Sequence, residues 1–359
     1  MLLAHIVGAR PNFMKLAPVH RALAQAAGIE QLVVHTGQHY DINMSDIFFQ
    51  QLKIAVPDVN LQVGSGSHAK QTAEIMTRFE EVVSGCRRDL VLVYGDVNST
   101  VAAALVCAKL RIPVAHVEAG LRSFDRSMPE EINRLVTDQL ADLLFTPSED
   151  GDRNLAREGV SSEKIHLVGN VMIDTLVSML PVSKNFLPSD LPPRYALVTL
   201  HRPANVDDLP WLKSMLRALE EFGPDLAVLF PVHPRTRQRM SEIGLNGSSA
   251  ALRLLDPLPY LPFIALQQRA AVVITDSGGI QEETTFLGVP CLTVRENTER
   301  PITVEMGTNM LVGRDPQRIR HEVERIAGGH AKRGQIPPLW DGHASERIAS
   351  VIASTRRIF

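Results

Sequence analysis

Residues 271–283 read Ala271-Val272-Val273-Ile274-Thr275-Asp276-Ser277-Gly278-Gly279-Ile280-Gln281-Glu282-Glu283. The apolar run is a short strand, and the Ser-Gly-Gly turn then opens a short helix that stops at Gly288. A helix start presents unpaired backbone N–H groups, and glycines let a ligand come close to that backbone. Ser277, Gly278 and Gly279 therefore form a ready phosphate site. The carboxylates one turn on, ending at Glu283, are oddly placed for phosphate alone. They suit hydroxyls hanging from that phosphate, and a ribose supplies them. Thr298-Glu299-Arg300-Pro301 then offers the Arg300 guanidinium to an anion. Together these read as a nucleotide-diphosphate pocket on a strand-turn-helix unit.

The same unit recurs outward in both directions. Short apolar strands are expected at Leu2–Val7, Gln31–Thr36, Leu90–Tyr94, Pro113–Val117, Leu143–Thr146 and Lys164–Val168. They resume at Ala196–Leu200, Ala227–Pro231, Leu252–Leu255, Ala271–Thr275, Pro290–Val294 and Asn309–Val312. Strands of four to six apolar residues separated by helices imply parallel sheets covered on both faces. The prolines from Pro181 to Pro193 mark a linker and hinge. The expected fold class is α/β: two doubly wound, Rossmann-like domains facing a cleft. Residues 1–178 form the first domain, 179–340 the second, and 341–359 a C-terminal helix packing back on the first. That last placement is by analogy with two-domain folds.

Composition narrows the function. A 45% hydrophobic, 21% charged chain is ordinary for a soluble protein, and a net charge of −3 gives no reason for nucleic acid or an anionic membrane. No apolar run is long enough to span a bilayer, and Met1–Gly8 reads as a first strand, not a leader, so the cytoplasm follows by default. Cys86, Cys107 and Cys291 are far apart in apolar contexts, as reduced core residues are.

In such sheets ligands sit beyond the carboxyl ends of the strands, and the chemistry-bearing residues cluster there. After the first strand comes Gly8-Ala9-Arg10-Pro11, with Lys15 one turn into the helix. No Gly-x-Gly-x-x-Gly fingerprint or P-loop is present, so neither NAD nor ATP hydrolysis is supported and no cofactor is expected. Arg10 and Lys15 are either a cationic clamp for a diphosphate or merely solvated side chains. Gly95-Asp96 follows the third strand, and Asp96 is either a working carboxylate or part of a helix cap. Glu118 stands at the end of a buried strand, where a carboxylate is costly unless paired or used. Pro129-Glu130-Glu131 suits the first turn of a helix, and Arg134 falls four residues after Glu130, in reach of pairing. Three carboxylates, Asp96, Glu118 and Glu130, near the sheet-end loops of one domain can divide acid and base roles. His201-Arg202 and His233 end two strands of the second domain and suit phosphate contact. No carboxylate is spaced with the two histidines to complete a metal site, so no metal is expected.

Taken together these motifs resemble the non-hydrolysing UDP-N-acetylglucosamine 2-epimerase family. The matching segments are Gly8–Pro11, Thr36–His39, Gly95-Asp96, His116–Arg122, Pro129–Arg134, Gly169-Asn170, His201-Arg202, Asp276–Glu283 and Thr298–Pro301. The resemblance implies a fold like that of the B-type glycosyltransferases and interconversion of UDP-GlcNAc and UDP-ManNAc. The route it implies is elimination of UDP to 2-acetamidoglucal, then re-addition with C2 inverted. Residue by residue, Asp96, Glu118 and Glu130 fall on the family's catalytic carboxylates. Arg134 falls on an accompanying arginine, and His201 on the histidine that stabilises departing UDP. Arg10, Lys15, His233, Phe263, Ser277, Gly278, Gly279, Glu283 and Arg300 match nucleotide or phosphate contacts. A homodimer is implied by the family alone.

The chain departs from the family at three places. Tyr40–Ser45 differ from members activated by a second UDP-GlcNAc. Pro203-Ala204 stand where many members have an acid, and Leu258 stands where some have a polar residue near the uracil. These leave room for a modified sugar such as a 2,3-diacetamido uronic acid. A hydrolysing epimerase, a glycosyltransferase of the same fold and a non-catalytic UDP-sugar sensor remain the competing expectations.

Overall fold

A computed structural model describes residues 1–38, 56–85, 88–222, 226–245, 249 and 251–355. His39, the Tyr40–Ser45 run and Cys86 lie outside these residues. The chain divides into two compact units. Met1–Thr175 and the chain from Pro338 on form unit 1, and Leu176–Pro337 forms unit 2.

Unit 1 runs β1 (Leu2–Val7), α1 (Arg10–Ala24), β2 (Glu30–His35), β3 (Val59–Asn60), α2 (His68–Gly85), β4 (Leu90–Tyr94), α3 (Asn98–Leu110) and β5 (Val114–Val117). It continues with α4 (Pro129–Leu140), β6 (Leu143–Thr146), α5 (Glu149–Arg157), β7 (Ile165–Leu167) and α6 (Val171–Ser183), which carries the chain into unit 2. The sheet order is β3-β2-β1-β4-β5-β6-β7, and every pairing is parallel. All five residues of β4 are buried, as a strand covered on both faces requires. The two-residue β3 is too short for its sequence to announce it.

Unit 2 repeats the plan with β8 (Tyr195–Thr199), α7 (Pro203–Val206), α8 (Leu209–Glu220), β9 (Ala227–Pro231), α9 (Pro234–Glu242), β10 (Leu252–Leu255) and α10 (Tyr260–Gln267). There follow β11 (Val272–Thr275), α11 (Gly278–Leu287), β12 (Cys291–Thr293), α12 (Pro301–Glu305), β13 (Asn309–Leu311) and α13 (Pro316–Ala327). Its parallel sheet has the order β10-β9-β8-β11-β12-β13. The period of two sorts β8 between two cores: Ala196 and Val198 join one, Tyr195 and Leu197 the other. Gly288 closes α11 with φ of 70°, a left-handed cap that favours glycine. Among the described residues no helix is long and apolar enough to cross a membrane.

Pro181 lies inside α6, so the linker expected there begins only after Ser183. Its position near the helix end limits the loss to one late hydrogen bond.

The last helix, α14 (Ala344–Thr355), packs on α1 within unit 1. Its apolar stripe does this: Ala344, Ile348 and Ile352 are fully buried, as are Leu16, Val19 and Leu23 of α1. Asp174 caps it, accepting from Ala344 N at 3.1 Å and Ser345 N at 2.7 Å. Upstream, Trp340 is 2% exposed and donates Nε1–H to the Pro147 carbonyl at 2.9 Å. Gly169, at φ of 87°, leaves room for the Leu339 carbonyl where any Cβ would collide. Trp340→Ala is therefore expected to cost about 3–5 kcal/mol and roughly 10 °C in unit 1 melting, read by calorimetry. A fall of only about 1 °C would mean that this strap does not stabilise the unit.

Candidate active site

The first sheet reverses its strand order between β1 and β4, where open parallel sheets leave a crevice beyond their carboxyl ends. Arg10, at the first position of α1 and half-exposed, Asp96 and Glu118 follow β1, β4 and β5 at that end. Asn12 ties two of these turns together. Its Oδ1 accepts from Gly8 N at 3.2 Å and Ala9 N at 3.0 Å, and its Nδ2 donates to the Tyr94 carbonyl at 2.8 Å. Lys15, one turn into α1, is buried and forms an ion pair with buried Glu118.

Glu118 has φ of 75°, a left-handed conformation that an ordinary side chain adopts at a cost of about 1–3 kcal/mol. Hydrogen bonds hold it there: Glu118 N and Ala119 N both donate to the Phe145 carbonyl, at 3.1 and 3.0 Å. Gly95, opposite, has φ of 61°, which favours glycine, and a Cβ there would lie 2.7 Å from Lys15 Nζ and 3.3 Å from Glu118 Oε2. Lys15 and Glu118 thus meet against the turn that carries Asp96.

Arg134 grips Asp96 with two N–H groups, Nε at 3.0 Å and Nη2 at 2.7 Å, both on Oδ2. Its Nη1 reaches Glu131 at 2.5 Å, so the pairing expected with Glu130 goes to the neighbouring acid. Glu131 is 2% exposed and also accepts from Ser123 N, Ser123 Oγ and Phe124 N. It holds the loop between β5 and α4. Glu130 is half-buried and lines a cavity of about 320 Å3 with Asp96, Gln38, His68, Gln71 and Asn98. Two carboxylates and several amides in one wall can move protons and recognise hydroxyls and acetamido groups.

The second sheet reverses between β8 and β11, and the same logic places His201 after β8 and Asp276 after β11. Asp276 is fully buried and accepts from four donors. Oδ1 faces His201 Nδ1 at 3.1 Å; Oδ2 takes His201 N at 3.1 Å, Arg202 N at 3.0 Å and Asn205 Nδ2 at 3.0 Å. Burial alone would raise its carboxyl, but the His201 ring and the Arg202 and Asn205 bonds hold it below its ordinary value. The His201 and His233 rings lie 5.9 Å apart. His233, exposed, caps α9 by accepting from Arg235 N, and burial, then His201 and Arg235, lower its pKa.

Ser277 is the N-cap of α11, and Gly278 follows without a Cβ because Arg300 Nη1 would lie 2.5 Å from it. Arg300 is buried between Glu282, at 2.8 Å, and Glu299. Arg295 shares Glu299 at 2.7 Å, and Arg202 approaches it at 3.9 Å. Burial, then Arg295, lower the Arg202 pKa against the pull of Glu299 and Asp276. Three guanidiniums, held by Glu282, Glu299 and Asp276, stand around the helix start whose free N–H groups suit an anion. Half-exposed Gly279 lies in the first turn of the same helix. Glu283, 3% exposed, accepts from Tyr260 Oη at 2.8 Å, and Phe263 sits on the next turn of α10.

A profile of the UDP-N-acetylglucosamine 2-epimerase family matches residues 21–353. The chain belongs to this family. It is 42% identical to the UDP-N-acetylglucosamine 2-epimerase of Methanocaldococcus jannaschii, covering 98% of this chain and 99% of that one. It is 41% identical to the UDP-2,3-diacetamido-2,3-dideoxy-D-glucuronate 2-epimerase of Pseudomonas aeruginosa, covering 98% and 99%. The crystal structure of the M. jannaschii UDP-GlcNAc 2-epimerase in complex with UDP-GlcNAc and UDP superposes with a TM-score of 0.90 at 41% identity, covering 99% of this chain and all of that one. The resemblance read from the motifs and the two-domain α/β fold are thereby borne out.

Within this family member, the structure gathers Lys15, Asp96, Glu118, Glu130 and Arg134 at one end of the first sheet. His201, His233, Ser277, Gly278, Glu283 and Arg300 belong to the second. Sequence reasoning missed Glu131, Asn133 and Asp276 as organisers of these groups. Asn133 donates to the Asp96 carbonyl at 2.8 Å. The signal was present only for Asp276, a carboxylate directly after a buried strand.

Proposed function

We propose that the protein is an isomerase that interconverts UDP-GlcNAc and UDP-ManNAc. A base takes the C2 proton as the C1–O bond breaks, so UDP leaves and a C1=C2 bond forms. UDP then returns to C1 while an acid delivers a proton to the opposite face of C2, and no atom or electron is gained or lost. Asp96, Glu118 and Glu130 supply acid and base, with Arg134 orienting Asp96. His201 and Arg10 stabilise the charge on departing UDP, and Lys15, besides pairing with Glu118, contacts it. His233, Ser277, Gly278, Gly279 and Arg300 take the diphosphate, Glu283 the ribose and Phe263 the base. The observation that carries this reading is the set of acids around the switch point of the first sheet, one of them, Glu118, on strained backbone.

Two curated relatives act on different sugars, and one observation separates them. Among the described residues the cavity beside Asp96 and Glu130 is lined by amides and a histidine, with no lysine or arginine. A uronic acid would bring a third carboxylate against the two that line it, and the described lining holds no lysine or arginine to meet it. The neutral N-acetylhexosamine is the better fit.

Incubation of UDP-GlcNAc with the protein in D2O, followed by proton NMR, tests the reading. Deuterium at C2, a UDP-ManNAc signal and little free UDP are the expected result. Accumulating UDP would replace it with hydrolysis, and exchange only with the diacetamido uronate would replace the substrate. The same reading makes the enzyme a cytoplasmic homodimer, and sedimentation as a single species of one-chain mass would remove the dimer.

A further inference from the structure

His116, in the middle of β5, is fully buried, and each of its ring nitrogens faces an oxygen that accepts. Nε2 lies 2.8 Å from the Gly95 carbonyl, which has no proton to give. Nδ1 lies 2.6 Å from Asp138 Oδ1. The other carboxylate oxygen of Asp138 takes Gly120 N at 3.1 Å and Arg122 Nη1 at 2.7 Å. Arg122 in turn forks onto Glu158 at 2.8 and 2.6 Å. With Asp138 ionised, both contacts of the ring are made together only when it carries a proton on each nitrogen.

We infer that His116, held by Asp138 with both ring nitrogens protonated, is a positioning residue for the epimerisation: it clamps the Gly95 carbonyl and so sets Asp96 and Glu118. The inference rests on the function proposed above. The clamp closes on both sides of the turn. Gly95 N donates to the Val117 carbonyl at 3.0 Å while Gly95 O accepts from His116, so the turn before Asp96 is tied twice to β5, the strand that ends in Glu118. Asp138 holds Gly120 N as well, two residues beyond Glu118. The groups that bear charge around this ring are Asp138 on α4, Arg122 and Glu158 behind it, and Lys15 with Glu118 on the far side of Gly95. Burial would raise the Asp138 carboxyl, but the His116 ring and the Arg122 guanidinium pull it down. The bonds from Gly120 N and Arg122 Nη1 favour an ionised Asp138, the geometry in which the proton between the two groups lies on the ring.

Asp138→Asn separates position from charge. Gly120 N and Arg122 donate on one side, so the Asn carbonyl must turn to them and its NH2 must face Nδ1. Nδ1 can then only accept, and the ring is left with one proton. Ring 15N–1H NMR on the resting protein, with the His116 signal assigned from its loss in His116→Gln, is expected to show two protonated nitrogens in the wild type and one in Asp138→Asn. Turnover of UDP-GlcNAc by His116→Phe, which loses the bond to the Gly95 carbonyl, is expected to fall about 10–100-fold with UDP affinity unchanged within about twofold. Turnover by Asp138→Asn, whose ring still donates Nε2–H to that carbonyl, is expected to fall less. A single protonated nitrogen in the wild type, or wild-type kcat in His116→Phe, overturns the inference. If His116→Phe does not fold, the wild-type ring decides alone. Wild-type exchange at C2 is the control: its absence sinks the functional reading, and the ring signal still decides whether His116 is clamped as described.

Discussion

Glu118→Gln is expected to lower turnover of UDP-GlcNAc by about three orders of magnitude while UDP affinity stays within about twofold of wild type. The carboxylate does two things that an amide of the same shape does not. It can exchange a proton with the sugar, it balances the Lys15 ammonium, and it does both from a backbone that is strained to present it. Gln keeps the volume and an oxygen toward Lys15, so the core around it need not collapse. Leaving a buried cation without its partner nonetheless costs about 3–5 kcal/mol, so a melting curve must accompany the rate. Loss of turnover with a folded unit 1 and intact UDP binding separates the chemistry from the scaffold. Turnover falling in step with UDP affinity would count against a catalytic carboxylate. Glu118→Asp keeps the charge on a shorter arm and is expected to fall between the two.

That Glu118 mattered was legible from its place, since an acid ending a buried strand needs a partner or a task. Its partner was not. Lys15 lies 103 residues away in sequence, and only the parallel packing of β1, β4 and β5 brings them together. The strands themselves were readable because both sheets are buried on both faces, which makes each a continuous apolar run. The exception is β3, two residues long, whose sequence has no room for a pattern. The pair Glu130-Glu131 shows the limit most clearly. Both suit the start of α4, and nothing local says that Glu131 turns in to hold Ser123, Phe124 and Arg134 while Glu130 faces a cavity. That difference comes from the loop before the helix, whose path is set by tertiary contacts. Pro181 misled for a related reason: read as punctuation, it sits where a helix can still accept it.

Asp276→Asn should produce the largest loss in unit 2, because every partner of this carboxylate donates. His201 N, His201 Nδ1, Arg202 N and Asn205 Nδ2 all point protons at its two oxygens. An asparagine must turn its NH2 toward one side of that ring of donors, so the change removes a buried charge and also sets donor against donor. A cost of about 3–5 kcal/mol follows, which for a unit of this size is roughly 10 °C in melting temperature. The pH dependence has a definite sign. Asp276 is held below its ordinary value in the folded state, so its contribution is fully present above the unfolded value of about 3.9 and is lost as pH falls through the lowered folded value. The gap between wild type and Asp276→Asn should therefore close in acid, as pH falls through the lowered Asp276 value. UDP affinity should fall about tenfold or more as well, since the backbone of His201 and Arg202 loses its anchor beside the α11 start. A melting temperature within about 2 °C of wild type at pH 7 would mean that the four donors find water instead, and that the turn after β8 does not depend on Asp276 for its shape.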